Sequence, residues 1–364
     1  MPMESDQHNR VMHQAIEKTH TRDIVTDSMA MRSLFGMLAG IASMAIATSL
    51  SAETISLEIP LDCDMTRTCQ IQNHFDHDSG PDFRDYTCGS LGYDGHNGVD
   101  FRLPNLEMMR QGVPVIAAAS GIVRAIRDEM DDISIRKTGL NAINKREAGN
   151  SVAIDHGNGW ETQYSHLRKG SIRVKPGEHV RAGQVLGLVG LSGKTEFPHL
   201  HFTVRYKGKP LDPFNGLGLD EKCGIDNPTL WSASALSLLP YRSTGILQSG
   251  FAPEAPKSES VEEGLYSART LQASVPALAF WVEVYGPNEG DQWKLELFSP
   301  DGKTLAENRE TFSRNRARWF GYVGMKRPAG NWPTGTYRGR FQLWRQSSVK
   351  PGPLIVREQS IIID

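Results

Sequence analysis

Apolar and polar residues in this chain fall mostly into short alternating runs punctuated by glycine, the pattern of antiparallel strands. From Gly112 the runs Val113 to Ala119 and Gly121 to Ile126 are split by Ser120-Gly121. Ser151 to Asp155 is followed by His156-Gly157-Asn158-Gly159, a strong hairpin signal. On the return strand the two-residue period places Trp160, Thr162, Tyr164 and His166 on one face. Glu161, Gln163 and Ser165 take the other. Lys175 to Gly187 reads as two tight turns bracketing small strands, and no long amphipathic helix is visible between Gly112 and Tyr206. The charged stretch Asp128 to Ala148 lacks alternation and reads as a partly helical insertion.

A second unit is equally strand-like. Residues 241–264, with their Pro, Ser, Glu and Lys content concentrated from Pro253 onward, read as a linker. Beyond them Trp293, Leu295 and Leu297 alternate with Lys294 and Glu296, and Tyr337, Gly339, Phe341 and Leu343 alternate with Arg338, Arg340 and Gln342. With Ala277 to Tyr285 and Leu354 to Ile363, this predicts a small antiparallel sandwich over residues 265–364, about the size of a single sandwich domain. Its aromatic residues are expected in the core, with an exposed Trp as a candidate contact for carbohydrate or protein. The expected fold class is therefore mainly β. A compact antiparallel β-sheet or barrel-sandwich domain over 94–240 precedes the small β-sandwich.

The N-terminus departs from this pattern. Residues 1–32 are polar and aperiodic and read as a disordered extension, with Met29 or Met31 as alternative starts. Leu34 to Leu50 holds no charged residue and is preceded by Arg32 and followed by Ser51-Ala52, so 33–52 reads as a signal peptide or a membrane anchor. Export with cleavage of the segment is the expectation, a membrane tether being the outcome only if the segment stays uncleaved. Composition adds little: 39% hydrophobic and 23% charged residues are ordinary for a globular chain. A formal net charge of -2 argues against a nucleic-acid partner. Export changes the reading of the four cysteines, which favour two disulfides in an oxidising compartment. Cys63 with Cys69 is the local pairing, leaving Cys88 to clip Cys223, among three connectivities. Cys63, Cys69 and Cys88 fall in or beside a lead-in spanning 53–93.

The candidate chemistry lies in His96-Asn97-Gly98-Val99-Asp100, Ser165-His166-Leu167 and His199-Leu200-His201. On an extended strand His199 and His201 project to the same side while Leu200 and Phe202 pack behind. His96 and Asp100 share a face too, with Gly98 permitting close approach. Two imidazoles, a carboxylate and a fourth position open to water make the composition of a catalytic zinc site. Spacing alone leaves open whether His199, His201 or both bind the metal. His74 and His77 in QNHFDHD read as a surface turn in preference to a second metal site.

The motifs HNGVD, GVPVIAAASGIV, GNSVAIDHGNG, TQYSHL, VKPGEHVRAGQVLGLVGLSG and FPHLHF together resemble the lysostaphin/LytM-type zinc metallopeptidases over roughly Asp94 to Val204. The resemblance implies an antiparallel β domain crossed by a groove, one zinc per chain, and hydrolysis of peptidoglycan cross-links. It implies His96, Asp100 and His201 as ligands, with His166 and His199 flanking the attacking water as acid/base and oxyanion stabiliser. Peptidoglycan stem peptides are then the partner and the periplasm of a Gram-negative bacterium the expected location. Relatives often carry an acidic residue where this chain has Thr203, which implies an altered surround for the metal and no loss of it. The lead-in and the insertion are expected to shape the groove walls, and the lead-in to be a candidate latency element. The alternatives are a catalytically silent regulator of cell-wall amidases and a wall-binding protein.

Overall fold

The computed structural model describes residues 54–364 apart from 144, 220 and 347–351. The segments at 1–32 and 33–52 lie outside the described residues. Among the described residues no helix is long and apolar enough to cross a membrane.

In chain order the first half contains β1 (Gln70–Asn73), β2 (Val99–Arg102), α1 (Leu106–Gln111), β3 (Pro114–Ile116), β4 (Gly121–Arg127), α2 (Ile135–Thr138), β5 (Asn150–Gly157) and β6 (Trp160–Leu167). It continues with β7 (His179–Val180), β8 (Val185–Leu188), β9 (His199–Tyr206), β10 (Lys209–Leu211) and α3 (Ala233–Ser237). One antiparallel sheet runs β1-β2-β9-β6-β5-β4-β7, with β10 added on β9, and β3 pairs with β8 separately. Alternation decides which face is dry. Val99, Phe101, Leu200, Phe202, Val204 and Tyr164 are all buried in one hydrophobic cluster. In the antiparallel register Phe101 faces Leu200 and Tyr164 faces Phe202, so these side chains share one side of the sheet. Asp100, Ser165 and His201, which pair with one another in the intervening register, take the other side. The β5–β6 hairpin turns on Asn158 and Gly159, both at positive φ (52° and 88°), as a two-residue type I′ loop requires.

The Cys-bearing lead-in is woven into this domain. Its β1 is the edge strand beside β2, and Leu57 and Leu61 belong to the main core. The two disulfides are Cys63–Cys69 and Cys88–Cys223, the local pairing and the long clip expected from the sequence. The second closes 135 residues of chain. Replacing Cys88 and Cys223 together with serine is expected to lower stability by about 2–5 kcal/mol, read from the midpoint of a denaturant titration. The insertion supplies the short helix α2 and a 3-10 turn at Leu140–Ile143.

The segment read as a linker needs correction. Residues 245–252 form β11 (Gly245–Ala252) and residues 258–263 form α4 (Ser258–Glu263). β11 pairs along its length with β13 (Ala277–Tyr285), so burial against a neighbouring strand overrides a composition that looks like loop. The second half continues with β12 (Thr270–Leu271), β14 (Gln292–Phe298), β15 (Thr304–Thr311), β16 (Arg318–Lys326), β17 (Gly335–Trp344) and β18 (Ile355–Ile363). Two sheets result, β11-β13-β16 and β12-β18-β17-β14-β15. One core that includes Phe280, Val282, Leu295, Leu297, Phe341 and Ile361 joins them as a sandwich. They pack closely at Gly339, where a β-carbon would lie 2.2 Å from the Phe280 ring. The seven tryptophans are all buried or half-buried, in line with the core expected for the aromatic residues, and none is the exposed contact considered as a candidate.

Candidate metal centre

β2 and β9 set the centre of the site. Asp100 and His201 are directly paired across the two strands and meet through Asp100 Oδ1 and His201 Nδ1 at 2.9 Å. His96 precedes β2 in a tight loop, and its Nε2 lies 3.1 Å from both Asp100 Oδ1 and His201 Nδ1. The loop can press this close because of Gly98. A β-carbon there would lie 2.5 Å from the Phe202 carbonyl oxygen and 2.8 Å from the His201 ring. His96 and Asp100 are essentially buried, and His201 is partly exposed.

The outward atoms of these side chains determine what the inward atoms are. His96 Nδ1 donates to the His74 carbonyl at 2.6 Å, which leaves Nε2 as a lone pair. His201 Nε2 donates to Asn97 Oδ1 and Thr203 Oγ1 at 3.2 and 3.0 Å, which leaves Nδ1 as a lone pair. Asp100 Oδ2 accepts from Asn73 Nδ2 at 2.8 Å, so Oδ1 turns inward. Three acceptor atoms therefore converge within about hydrogen-bond distance, an arrangement that calls for a cation among them. Histidine nitrogens backed by a carbonyl and a hydroxyl are the usual outer support of metal ligands. The donor set of two imidazole nitrogens and one carboxylate oxygen fits zinc.

His199 and His166 stand beside this cluster. His199 is opposite Arg102 in the β2–β9 register, with Nδ1 donating to the Phe197 carbonyl at 2.9 Å and Thr195 Oγ1 at 3.1 Å. Its Nε2 approaches Asp100 Oδ1 at 3.4 Å. His166 Nδ1 donates to the Ser192 carbonyl at 2.8 Å. The His166 ring is 4.7 Å from that of His199 and 6.0 Å from that of His201, centroid to centroid. Burial, with His199 and His201 adding to it, holds the His166 imidazole well below its ordinary pKa, so it stays neutral at pH 7. Burial would also push Asp100 up, but in the metal-free cluster the positive charge that His96 and His199 take up beside it outweighs burial and keeps the carboxylate ionised.

The placement of His166 corrects the strand reading. Alternation put it on the face of Tyr164, which is the core face. In the structure Val152 pairs with Tyr164 and Asn150 with Leu167, so Ser165 and His166 together oppose Ser151. That is a β-bulge, and His166 sits in it at φ 63°. The extra residue and left-handed backbone turn the ring onto the site side. His74 and His77 also differ from expectation. Both are buried, His74 among Tyr86, Phe214 and Tyr241, and His77 against Asp212 at 3.0 Å. Aromatic packing and an ion pair with a residue 135 positions away replace the surface turn. Sequence reasoning missed Asn73 and Asn97; only Asn97, inside HNGVD, carried a positional signal.

Residues 94–213 match the family model described as Peptidase family M23. This segment is an M23 peptidase domain. The DD-carboxypeptidase/endopeptidase Mpg of Neisseria meningitidis is 36% identical over 118 residues, 32% of this chain and 22% of that protein. The peptidoglycan DD-endopeptidase ShyA of Vibrio cholerae is 37% identical over 117 residues, again 32% of this chain and 22% of the relative. The matched stretch thus spans about a fifth of the length of these curated relatives. A zinc-containing peptidase from Vibrio cholerae aligns over 48% of this chain and 41% of its own at 27% identity, with a TM-score of 0.30. The M23 segment covers the five site residues, while the lead-in and the C-terminal sandwich fall outside it.

Proposed function

We propose that this protein is an exported, zinc-dependent endopeptidase that hydrolyses peptide cross-links of peptidoglycan. The observation that carries the reading is the convergence of three proton-free donor atoms from His96, Asp100 and His201 beside two further imidazoles. In this reading those three residues hold one zinc, and His166 and His199 are the catalytic pair. The presence of all five side chains in one cluster favours catalysis over a silent regulator. The domain's relatives include proteins named as peptidoglycan DD-endopeptidases, which favours a D-alanyl-diaminopimelyl cross-link and the periplasm.

Zinc at this site supplies Lewis acidity to a peptide carbonyl and to water. The chain's own residues do the rest. His166 and His199 each carry a proton on Nδ1, fixed by the Ser192 and Phe197 carbonyls, so each leaves Nε2 to accept one. One imidazole takes the proton of the attacking water on Nε2. The other, entering the cycle with an Nε2 proton drawn from solvent, donates a hydrogen bond to the oxygen that gains charge and keeps that proton. Transfer of the first proton to the leaving amine completes the hydrolysis. Acid-base help of this kind contributes about 10²–10⁴-fold.

Thr203 supports the site through His201. Thr203→Val removes an acceptor from His201 Nε2–H and is expected to weaken zinc binding by about 10–100-fold, measured by chelator competition. The function itself is tested by digesting purified murein sacculi and separating the products by mass spectrometry. Loss of cross-linked dimers with a matching gain of monomers is expected. Unchanged dimers with fully zinc-loaded protein would refute the endopeptidase reading.

A further inference from the structure

Beside the metal centre lies a cavity of about 650 Å³ lined by Arg102, Met109, Arg136, Phe197, Pro198 and Glu262 among others. Its walls come from α1, the insertion with α2, the loop entering β9, and α4 ahead of the sandwich. The C-terminal half and the insertion therefore build a chamber that reaches Arg102 and Phe197, the neighbours of His199. Arg102 is two residues beyond Asp100 on β2 and opposite His199, so all three project to the same side of the sheet.

Three other arginines of this cavity are paired with carboxylates, whereas the buried Arg102 is not. Arg110 pairs with Glu107 and Glu263, Arg136 with Glu196 and Glu262, and Arg318 with Glu262 and Glu283. Arg102 is only 2% exposed and, among the described residues, has no carboxylate within ion-pair distance. Its Nη1 donates to the Gln72 side-chain oxygen, while Nε has no partner. The guanidinium lies 4.2 Å from the centroid of the Phe197 ring, which in turn packs 4.8 Å from the His199 ring. A buried guanidinium without a counter-charge is costly, and its planar fork suits a carboxylate.

We propose that Arg102 and the cavity it lines form a subsite for a carboxylate of the peptide substrate. This rests on the peptidase reading of the adjoining centre and deepens it. The bound carboxylate completes the hydrogen bonding of Arg102 and fixes the peptide one strand step from the metal ligands. Arg102 thereby selects for substrates that carry a free carboxylate near the scissile bond. Phe197 holds the guanidinium flat and links it to the wall of the catalytic His199.

The test compares a synthetic D-alanyl-diaminopimelyl dimer bearing free carboxylates with the same dimer amidated at the diaminopimelyl carboxylates. Both binding and cleavage are measured with the full chain. Wild type is expected to bind and cleave the free-acid dimer at least about tenfold better, in the range of a charge-assisted hydrogen bond. Arg102→Gln is expected to lose that preference mainly through the free-acid dimer, and Arg102→Lys to restore part of it. The wild-type comparison needs no variant, so a misfolded Arg102→Gln leaves the test intact. Equal binding of both dimers by wild type overturns the subsite even if both are cleaved. A binding preference without cleavage of either dimer sustains the subsite and overturns the peptidase reading. Arg102→Gln slowing both dimers equally, with the preference retained, assigns Arg102 a structural role and overturns the proposal.

Discussion

His201→Ala is expected to strip the protein of zinc and of hydrolysis together. His201 Nδ1 touches both Asp100 Oδ1 and His96 Nε2, so its loss removes one of three inward donors. Altering a residue that merely orients a ligand weakens metal binding by about 10–100-fold, so removing the ligand itself should exceed the upper figure. The fold should survive, because the core side of β9 is held by Leu200, Phe202 and Val204. Zinc per chain by plasma mass spectrometry and a thermal melt separate the two effects. A variant that keeps a full equivalent of zinc removes His201 from the ligand set.

His166→Asn should give the opposite split, with zinc retained and hydrolysis reduced by about 10²–10⁴-fold. The His166 ring lies beside the three-donor cluster and contributes no atom to it. Asparagine is the informative replacement because His166 sits at φ 63°, a conformation asparagine tolerates better than most residues. Alanine would add a backbone penalty to the chemical one. Single-turnover cleavage of a cross-linked dimer, read next to zinc content, makes the distinction. Full activity in His166→Asn would take His166 out of the catalytic pair.

Much of this architecture is readable in the residues, for identifiable reasons. Two-residue alternation marks β9 and β17, and Asn158-Gly159 marks the hairpin, because these signals are local. The HLH spacing puts His199 and His201 on one side of β9 because strand geometry is regular. His96, by contrast, reaches Asp100 from the loop before β2, and the strand reading of HNGVD does not hold there. His166 is different. A bulge arises from pairing with β5, and no pattern within TQYSHL announces the extra residue that turns its ring. The ligand tautomers are likewise invisible in sequence, since they depend on the backbone carbonyl of His74 and on Asn97 and Thr203 meeting in space. β11 was hidden by its composition, and only its pairing with β13 makes it a strand. His77 reads as polar surface until Asp212 arrives from the far end of the domain.

Zinc depletion and readdition bear most directly on the central claim that His96, Asp100 and His201 hold a hydrolytic zinc. The full chain is dialysed against a chelator and its hydrolysis of a cross-linked muropeptide dimer is followed as zinc is added back. The expected result is loss of hydrolysis on depletion and full recovery at one equivalent of zinc, with His201→Ala showing no recovery at that level. Hydrolysis that persists in the zinc-free protein, or recovers equally in His201→Ala, would contradict the account.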